Sequence, residues 1–376
     1  MKQLIVKIVK FFVVSLLSPV IIHRRNKNAY LAYLPEPYKR QKDEKYLNQH
    51  QNRKESIIIG EIFIKLGWGI RVERFDKWFI LPKKYELIFG LEPNFIRASK
   101  LNERAIKIYY ATGSYYLHQN SMIKQRTDEF NKIHQTKLAY QRLIKPHNAC
   151  EIADYIFQIG SSKTISTYPN SIKNKIILIR QTCFTFNDFR IETKLNQKNF
   201  NSFIWMGSTG SILKGLDLFI DFALINQSFN FHIVGNIDDD FFSFYHDKII
   251  NAKNIFYHGF IQISDLKLLN IASACSCIIF PSCSEGMPGS VVNLMKLGLI
   301  PVVSKWCSFD EIEDLGYELE NLTLNELSKF LNWYQSLSTE KIKELFVKNY
   351  NYANNNYNKE VFEKDITNAL LKVTNC

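Results

Sequence analysis

Phe280-Pro281-Ser282-Cys283-Ser284-Glu285-Gly286-Met287-Pro288-Gly289-Ser290-Val291-Val292-Asn293-Leu294-Met295 reads as the end of a buried strand, a polar turn, and a helix that opens on small residues. The strand, 277–280, is an apolar run too short for a helix. The turn holds a carboxylate, two glycines and two serines, so bare backbone N–H groups can face a ligand where a helix start favours anions. An ordinary strand-to-helix turn of an α/β domain has a similar composition, because glycine is common there.

The same unit recurs on both sides of this stretch. Towards the N-terminus, a strand over 203–206 runs into Gly207-Ser208-Thr209-Gly210-Ser211 and Lys214-Gly215, then a helix over 216–226. Strands follow over 230–234 and 255–257, with helices over 241–250 and over 265–274, the latter capped by Ser264. Towards the C-terminus come a strand over 300–303 and helices over 325–337, 339–350 and 359–371. The first half offers strands over 29–34, 70–75, 85–91, 105–111, 152–159 and 175–179, with helices over 56–66, 126–143 and 164–168. Residues 184–199 are polar and without period, which makes them the linker.

Alternation of this kind implies parallel sheets covered on both faces. The expected fold class is α/β, with two Rossmann-like domains and a ligand cleft between them, at the carboxyl ends of the strands. The expected boundaries are 1–27 for an apolar and basic leading segment, 28–190 for the first domain, 200–350 for the second, and 351–376 for a C-terminal helix packing back on the first. A length of 376 residues fits two such domains.

The formal charge is +12, with most of the excess in the first half, in runs such as His23-Arg24-Arg25-Asn26-Lys27. That balance suits nucleic acid, an anionic membrane surface or phosphorylated substrates. No basic-aromatic repeat, zinc-finger spacing or single-strand-binding signature accompanies it, so nucleic acid is not an expected partner. Seven cysteines lie without regular spacing, at 150, 183, 275, 277, 283, 307 and 376. They read as buried free thiols, with no metal site around Cys275, Cys277 and His258. Residues 4–22 are the most apolar segment, but Lys7 and Lys10 interrupt it and 11–22 is shorter than a spanning helix needs. An interfacial helix, a signal-anchor and a buried terminal helix all fit it. Asp238-Asp239-Asp240 reads as the acidic start of a helix, with a metal-nucleotide signature as the alternative.

Taken together, the second half resembles the C-terminal domain of the GT-B-fold, nucleotide-sugar-dependent glycosyltransferases of family 4 (group 1). Three sets of residues carry the likeness: Trp205-Met206-Gly207 with Lys214-Gly215-Leu216-Asp217; His258-Gly259-Phe260; and 281–286 followed by Leu297-Gly298-Leu299-Ile300-Pro301-Val302-Val303-Ser304. The resemblance implies that Glu285 contacts the donor sugar, that Lys214 holds the donor diphosphate, and that Gly289, Ser290 and Val291 begin the helix meeting that diphosphate. Gly207, Ser208, Gly259, Phe260, Ser282 and Gly286 complete the implied donor set. Two positions depart from the family pattern. Asn293 stands where a second glutamate is implied to bind the ribose, which an amide can still hydrogen-bond without charge assistance and so keeps Asn293 in the donor set, and Ser208 stands where an arginine follows the first glycine, in a loop one residue longer.

The function implied is transfer of a sugar, with retained anomeric configuration, from a nucleotide diphosphate donor to a glycan or polyprenyl-linked glycan of a bacterial surface polysaccharide such as capsule, O-antigen or exopolysaccharide. The nucleotide-sugar is a co-substrate, and neither cofactor nor metal is expected. Glu285 and Lys214 are the expected catalytic residues. Acceptor-side candidates are Glu92, Thr112, Gly113, Ser114 and His118, which close strands facing the cleft or lie just beyond. Peripheral contact with the cytoplasmic face of the plasma membrane is the expected location. A non-catalytic nucleotide-sugar-binding scaffold and a sugar-nucleotide epimerase are the competing readings.

Overall fold

Strand β2 (Asn28–Tyr33) is apolar at every position from Ala29 because both of its faces are covered. Ala29, Leu31 and Tyr33 share a core with Ile59 and Phe63 of helix Gln51–Lys65, while Tyr30 and Ala32 share one with Phe95 and Ala98 of helix Asn94–Leu101. Burial on both faces is what turns an alternating pattern into a continuous apolar run. The computed structural model describes residues 19–22, 27–77 and 84–374.

Among the described residues seven strands form the first sheet, in the order β1-β3-β2-β4-β5-β6-β7. These are β1 (Val20–Ile22), β2, β3 (Gly69–Arg74), β4 (Leu87–Gly90), β5 (Ile106–Ala111), β6 (Tyr155–Ile159) and β7 (Ile176–Ile179). All pairings are parallel except β1 with β3, where Val20 faces Val72 and Ile22 faces Ile70. The second sheet is parallel throughout, in the order β10-β9-β8-β11-β12-β13. Its members are β8 (Ser202–Gly207), β9 (Asn230–Gly235), β10 (Ile255–Tyr257), β11 (Cys277–Phe280), β12 (Ile300–Ser304) and β13 (Tyr317–Leu319). Strand order reverses between β8 and β11, so the loops leaving these two strands diverge and open a crevice at their carboxyl ends. Those loops carry Lys214 and Glu285.

Two helices cross between the halves. Helix Tyr116–His134 follows β5 in the chain, yet Phe130 packs against Phe241, Phe244 and Tyr245 of helix Asp239–Asn251. Arg126 on the same helix donates to Asp217 at 2.7 Å. Helix Lys359–Thr374 lies against Gln51–Lys65 and β7, where Arg180 binds both carboxylate oxygens of Asp365.

Four expectations from the sequence are corrected. The helix expected over 126–143 runs from Tyr116 to His134, and Gln135 ends it with a left-handed backbone, its N–H donating to Asn131 O. The stretch after it, 135–148, is irregular and held by side chains: Asn131 accepts from Leu138 N, and Asn120 from Ile144 N. The linker contains helix Ile191–Leu195, whose Lys194 is fully buried and donates to Ala272 O at 2.9 Å. Burial pulls that ammonium down to about 8. Asp265, not Ser264, caps helix Leu266–Ala274, by accepting from Lys267 N. Residues 20–22, assigned to the apolar leading segment, are the edge strand β1; residues 1–18 lie outside the described residues. No helix among the described residues is long and apolar enough to cross a membrane.

Candidate functional site

The turn after β8 is shaped by its fit against the loop after β11. Gly215 has φ 67°, and a Cβ there would sit 2.2 Å from Pro281 O, so only glycine fits. Trp205 Nε1 donates to Lys214 O at 3.0 Å and Lys214 N to Gly210 O at 2.9 Å, which fixes the lysine backbone at the crevice. Its ammonium lies 3.1 Å from Glu285 Oε1, with both side chains largely shielded from water. Glu285 is positioned in turn by Glu285 N donating to Trp306 O and by the Ser282 hydroxyl, which reaches Leu213 O at 2.9 Å and Glu285 Oε1 at 3.4 Å.

The two domains meet on this loop. A Cβ on Gly286 would sit 2.5 Å from Thr112 O and 2.7 Å from Ile159 O, so the ends of β5 and β6 rest directly on it. Ser114 and Ser284 share a short hydroxyl hydrogen bond, and Thr164 Oγ1 donates to Gly286 O at 3.1 Å. Asp310 receives the hydroxyls of Ser161 and Ser162.

Above this seam lies a cavity of about 340 Å³, within the range of small-ligand sites. Leu213, Lys214, Ser284 and Glu285 line it from the second domain. The first domain contributes Glu92, Thr112, Gly113 and Ser114, together with Arg142, His147 and a group of tyrosines including Tyr109, Tyr116 and Tyr168. Glu92 Oε2 accepts from Tyr109 at 2.7 Å, and its Oε1 lies 3.7 Å from His147 Nε2. Because His147 Nδ1 accepts from Ala149 N, Nε2 is the protonated nitrogen and faces the carboxylate. This corner can therefore accept hydroxyl protons through Glu92 and present aromatic faces to a sugar ring. Burial pushes the Cys283 thiol up to about 12, which leaves no thiolate nucleophile beside Glu285.

Other residues singled out from the sequence lie away from the cavity. His118 is not part of its lining; the ring rests on Trp306 with centroids 4.4 Å apart, and Nε2 is buried without a hydrogen-bond partner. Burial and the Lys305 charge hold that imidazole below its ordinary value. Gly259 O accepts from Gly235 N, and Phe260 is exposed on the flank beyond β9 and β10, beside a stacked His232 and His258 pair. Helix Gly289–Met295 has seven residues, and its start meets Gln51 and Gln181: a Cβ on Gly289 would sit 2.7 Å from Gln51 Oε1. Ser290 is partly covered and Val291 buried. Asn293 is buried and occupied, accepting from Phe184 N at 2.9 Å and donating to Gly289 O at 2.7 Å. It thus ties the start of the linker to the helix. Ser208 is exposed on the turn after β8. Asp238 precedes helix Asp239–Asn251 and accepts from Gly210 N and Ser211 N, which orders that turn. Among the described residues no three His, Cys, Asp or Glu side chains converge as a metal site.

Arg142, His147 and the tyrosines carry no local signal in the sequence that marks them for this site. Tyr109 sits on β5, Tyr116 starts the helix after it and Tyr168 follows the short helix after β6, where they look like core, and the other two lie in the irregular 135–148 stretch.

Comparison with known proteins agrees with this architecture. Residues 201–325 match the family described as Glycosyl transferases group 1. No curated protein matches the sequence. Among solved structures, sucrose-phosphate synthase from Thermosynechococcus elongatus superposes with a TM-score of 0.63 at 12% identity, covering 93% of this chain and 100% of that one. Anabaena HepE in complex with UDP and glucose gives a TM-score of 0.58 at 14% identity, covering 92% and 99%. WaaG, a glycosyltransferase involved in lipopolysaccharide biosynthesis, gives 0.56 at 12% identity, covering 93% and 100%. The second domain thus carries the sequence pattern of the group 1 glycosyltransferases, and the chain as a whole has the two-domain GT-B fold.

Proposed function

We propose that the protein is a glycosyltransferase that moves a sugar from a nucleotide diphosphate donor to a glycan or lipid-linked glycan acceptor. One observation carries this reading: Lys214 and Glu285 converge where strand order reverses, at the second domain's side of a cavity whose other wall is the first domain's strand ends. A structural relative was solved with UDP and glucose, which supports a sugar nucleotide as the ligand class.

When the bond from the anomeric carbon to the diphosphate breaks, negative charge grows on the leaving oxygen. A fixed ammonium at that oxygen stabilises the transition state more than the ground state. Lys214 supplies that charge, and no metal is required in this account. Glu285 accepts from donor sugar hydroxyls, and Glu92, held by Tyr109 and faced by His147, receives the acceptor hydroxyl. Retention at the anomeric carbon, a bacterial surface polysaccharide as product, and the inner face of the plasma membrane as location belong to the same proposal.

A thermal-shift panel of UDP-, GDP- and ADP-sugars tests the donor site. A ligand at 100 times its dissociation constant stabilises by about 2.7 kcal/mol, so one nucleotide class is expected to raise the melting temperature clearly. A flat panel would sink the reading. The membrane role rests on the apolar residues 1–18 and the basic residues near 23–27. Because β1 is part of the sheet, the informative truncation removes only 1–18. Loss of sedimentation with anionic liposomes is the expected result, and unchanged sedimentation would end that part of the proposal.

The occupied amide of Asn293 favours one second reading, a nucleotide-sugar-binding protein that does not transfer. It would give the same thermal shifts without cleaving the donor.

A further inference from the structure

Arg142 belongs to the first domain but lies on the second domain's glycine turn. Its Nη1 reaches Thr209 O at 3.4 Å, and its Cδ lies 2.6 Å from where a Cβ on Gly210 would be. It lines the same cavity as Lys214 and Glu285. Its backbone is left-handed, with φ 62°, a conformation that non-glycine residues keep only where the surroundings impose it and that clusters at ligand clamps. Helix Tyr116–His134 imposes it: Gln119 donates to Arg142 O at 3.2 Å, and Asn120 pairs with both backbone groups of Ile144. None of the ion pairs among the described residues includes Arg142.

The charges around the cavity give this arginine a task. The Lys214 ammonium is matched by the Glu285 carboxylate, so the pair alone offers a diphosphate no net positive charge. The exposed Ser208 on the turn adds none. His50 stands within the field of both Arg142 and Lys214, and burial together with the neighbouring Arg53, Arg142 and Lys214 holds its imidazole below the ordinary value, so it stays neutral near pH 7. Among the described residues that line the cavity Arg142 is the one arginine or lysine besides Lys214, the second lining carboxylate, Glu92, is engaged by Tyr109, and a guanidinium matches phosphate oxygens in geometry as well as charge.

We infer that Arg142 is the second cation of the donor site, reaching across from the first domain to hold the donor's diphosphate together with Lys214, so that the site is complete only when both domains meet. This rests on the nucleotide-sugar reading of the cleft.

The test is calorimetric binding of UDP, GDP and ADP, and of inorganic pyrophosphate as the diphosphate without a base, to the full chain and to Arg142→Ala. The nucleoside diphosphate that binds the unmodified protein and pyrophosphate are both expected to weaken by about 10- to 100-fold, the loss typical of a charge-assisted contact. Arg142→Lys should recover part of the affinity. Arg142→Gly removes the guanidinium while suiting the left-handed backbone, so it should match the alanine variant. Unchanged affinities would overturn the inference and leave the nucleotide-sugar reading standing. Weaker nucleotide binding with unchanged pyrophosphate binding would also overturn it, because the arginine would then serve the nucleoside. If the unmodified protein binds none of the three diphosphates and none of the corresponding nucleotide-sugars, the inference and the reading fall together.

Discussion

Replacing Lys214 by alanine is expected to slow donor cleavage about 10²-fold at saturating donor, the size of effect seen when one preorganised electrostatic contact to developing charge is lost. The lysine is suited to the task because its position is set before any ligand arrives. Trp205 holds its carbonyl, Gly210 O accepts from its N–H, and Glu285 fixes its ammonium at 3.1 Å. Little reorganisation is left for the transition state to drive. Alanine also leaves Glu285 unpaired in a shielded site, which opposes the approach of an anionic donor, so binding is expected to weaken too. Single-turnover measurement at saturating donor separates the two effects. Wild-type turnover in Lys214→Ala would remove the lysine from the mechanism.

Replacing Arg126 by alanine is expected to destabilise the fold by about 3–5 kcal/mol, because it leaves a buried carboxylate without its partner. The Arg126 and Asp217 side chains are 8% and 6% exposed, and their contact links the helix after β5 to the first helix of the second domain. Asp217 Oδ1 and Arg126 Nε have no hydrogen-bond partner, so this single contact holds the pair together. Burial pushes the Asp217 carboxyl above the usual carboxylate range even with Arg126 opposing it. A carboxyl with a raised folded pKa favours the folded state when protonated and loses that contribution as pH rises through the folded value. The loss in Arg126→Ala is therefore expected to be smaller near pH 4 than at pH 7. Urea unfolding at both pH values checks this, and a loss below about 1 kcal/mol at pH 7, the range of an exposed pair, would show that the carboxylate is not truly desolvated.

Much of the scaffold was legible in the sequence because its strands are buried on both faces. The run Cys277–Phe280 is a strand with those bounds, buried at every position; Ile255–Tyr257 also has the expected bounds, although Phe256 and Tyr257 are exposed at the edge of the sheet. Lys214 and Glu285 could be singled out because the loops that carry them resemble those of the group 1 glycosyltransferases. Less visible was everything whose place depends on tertiary contacts. The three-residue strand β1 lies inside a longer apolar segment, where a short apolar run is ambiguous between strand and helix. Lys194 made the linker look polar, although its ammonium is capped by the carbonyl of Ala272 in the core. Arg142 and His147 sit in a stretch without periodicity, placed by the side chains of Asn120 and Asn131 and not by secondary structure. Asn293, read as a ribose contact, has its amide engaged by Phe184 and Gly289, a use that no local pattern announces.

The most direct test of glycosyl transfer is to incubate the unmodified protein with the nucleotide-sugar that stabilises it, without acceptor, and to measure free nucleoside diphosphate over time. Slow release of nucleoside diphosphate and free sugar is expected, falling about 10²-fold in Lys214→Ala. A donor that binds and stays intact, or that is converted to an isomeric nucleotide-sugar without cleavage, would contradict it.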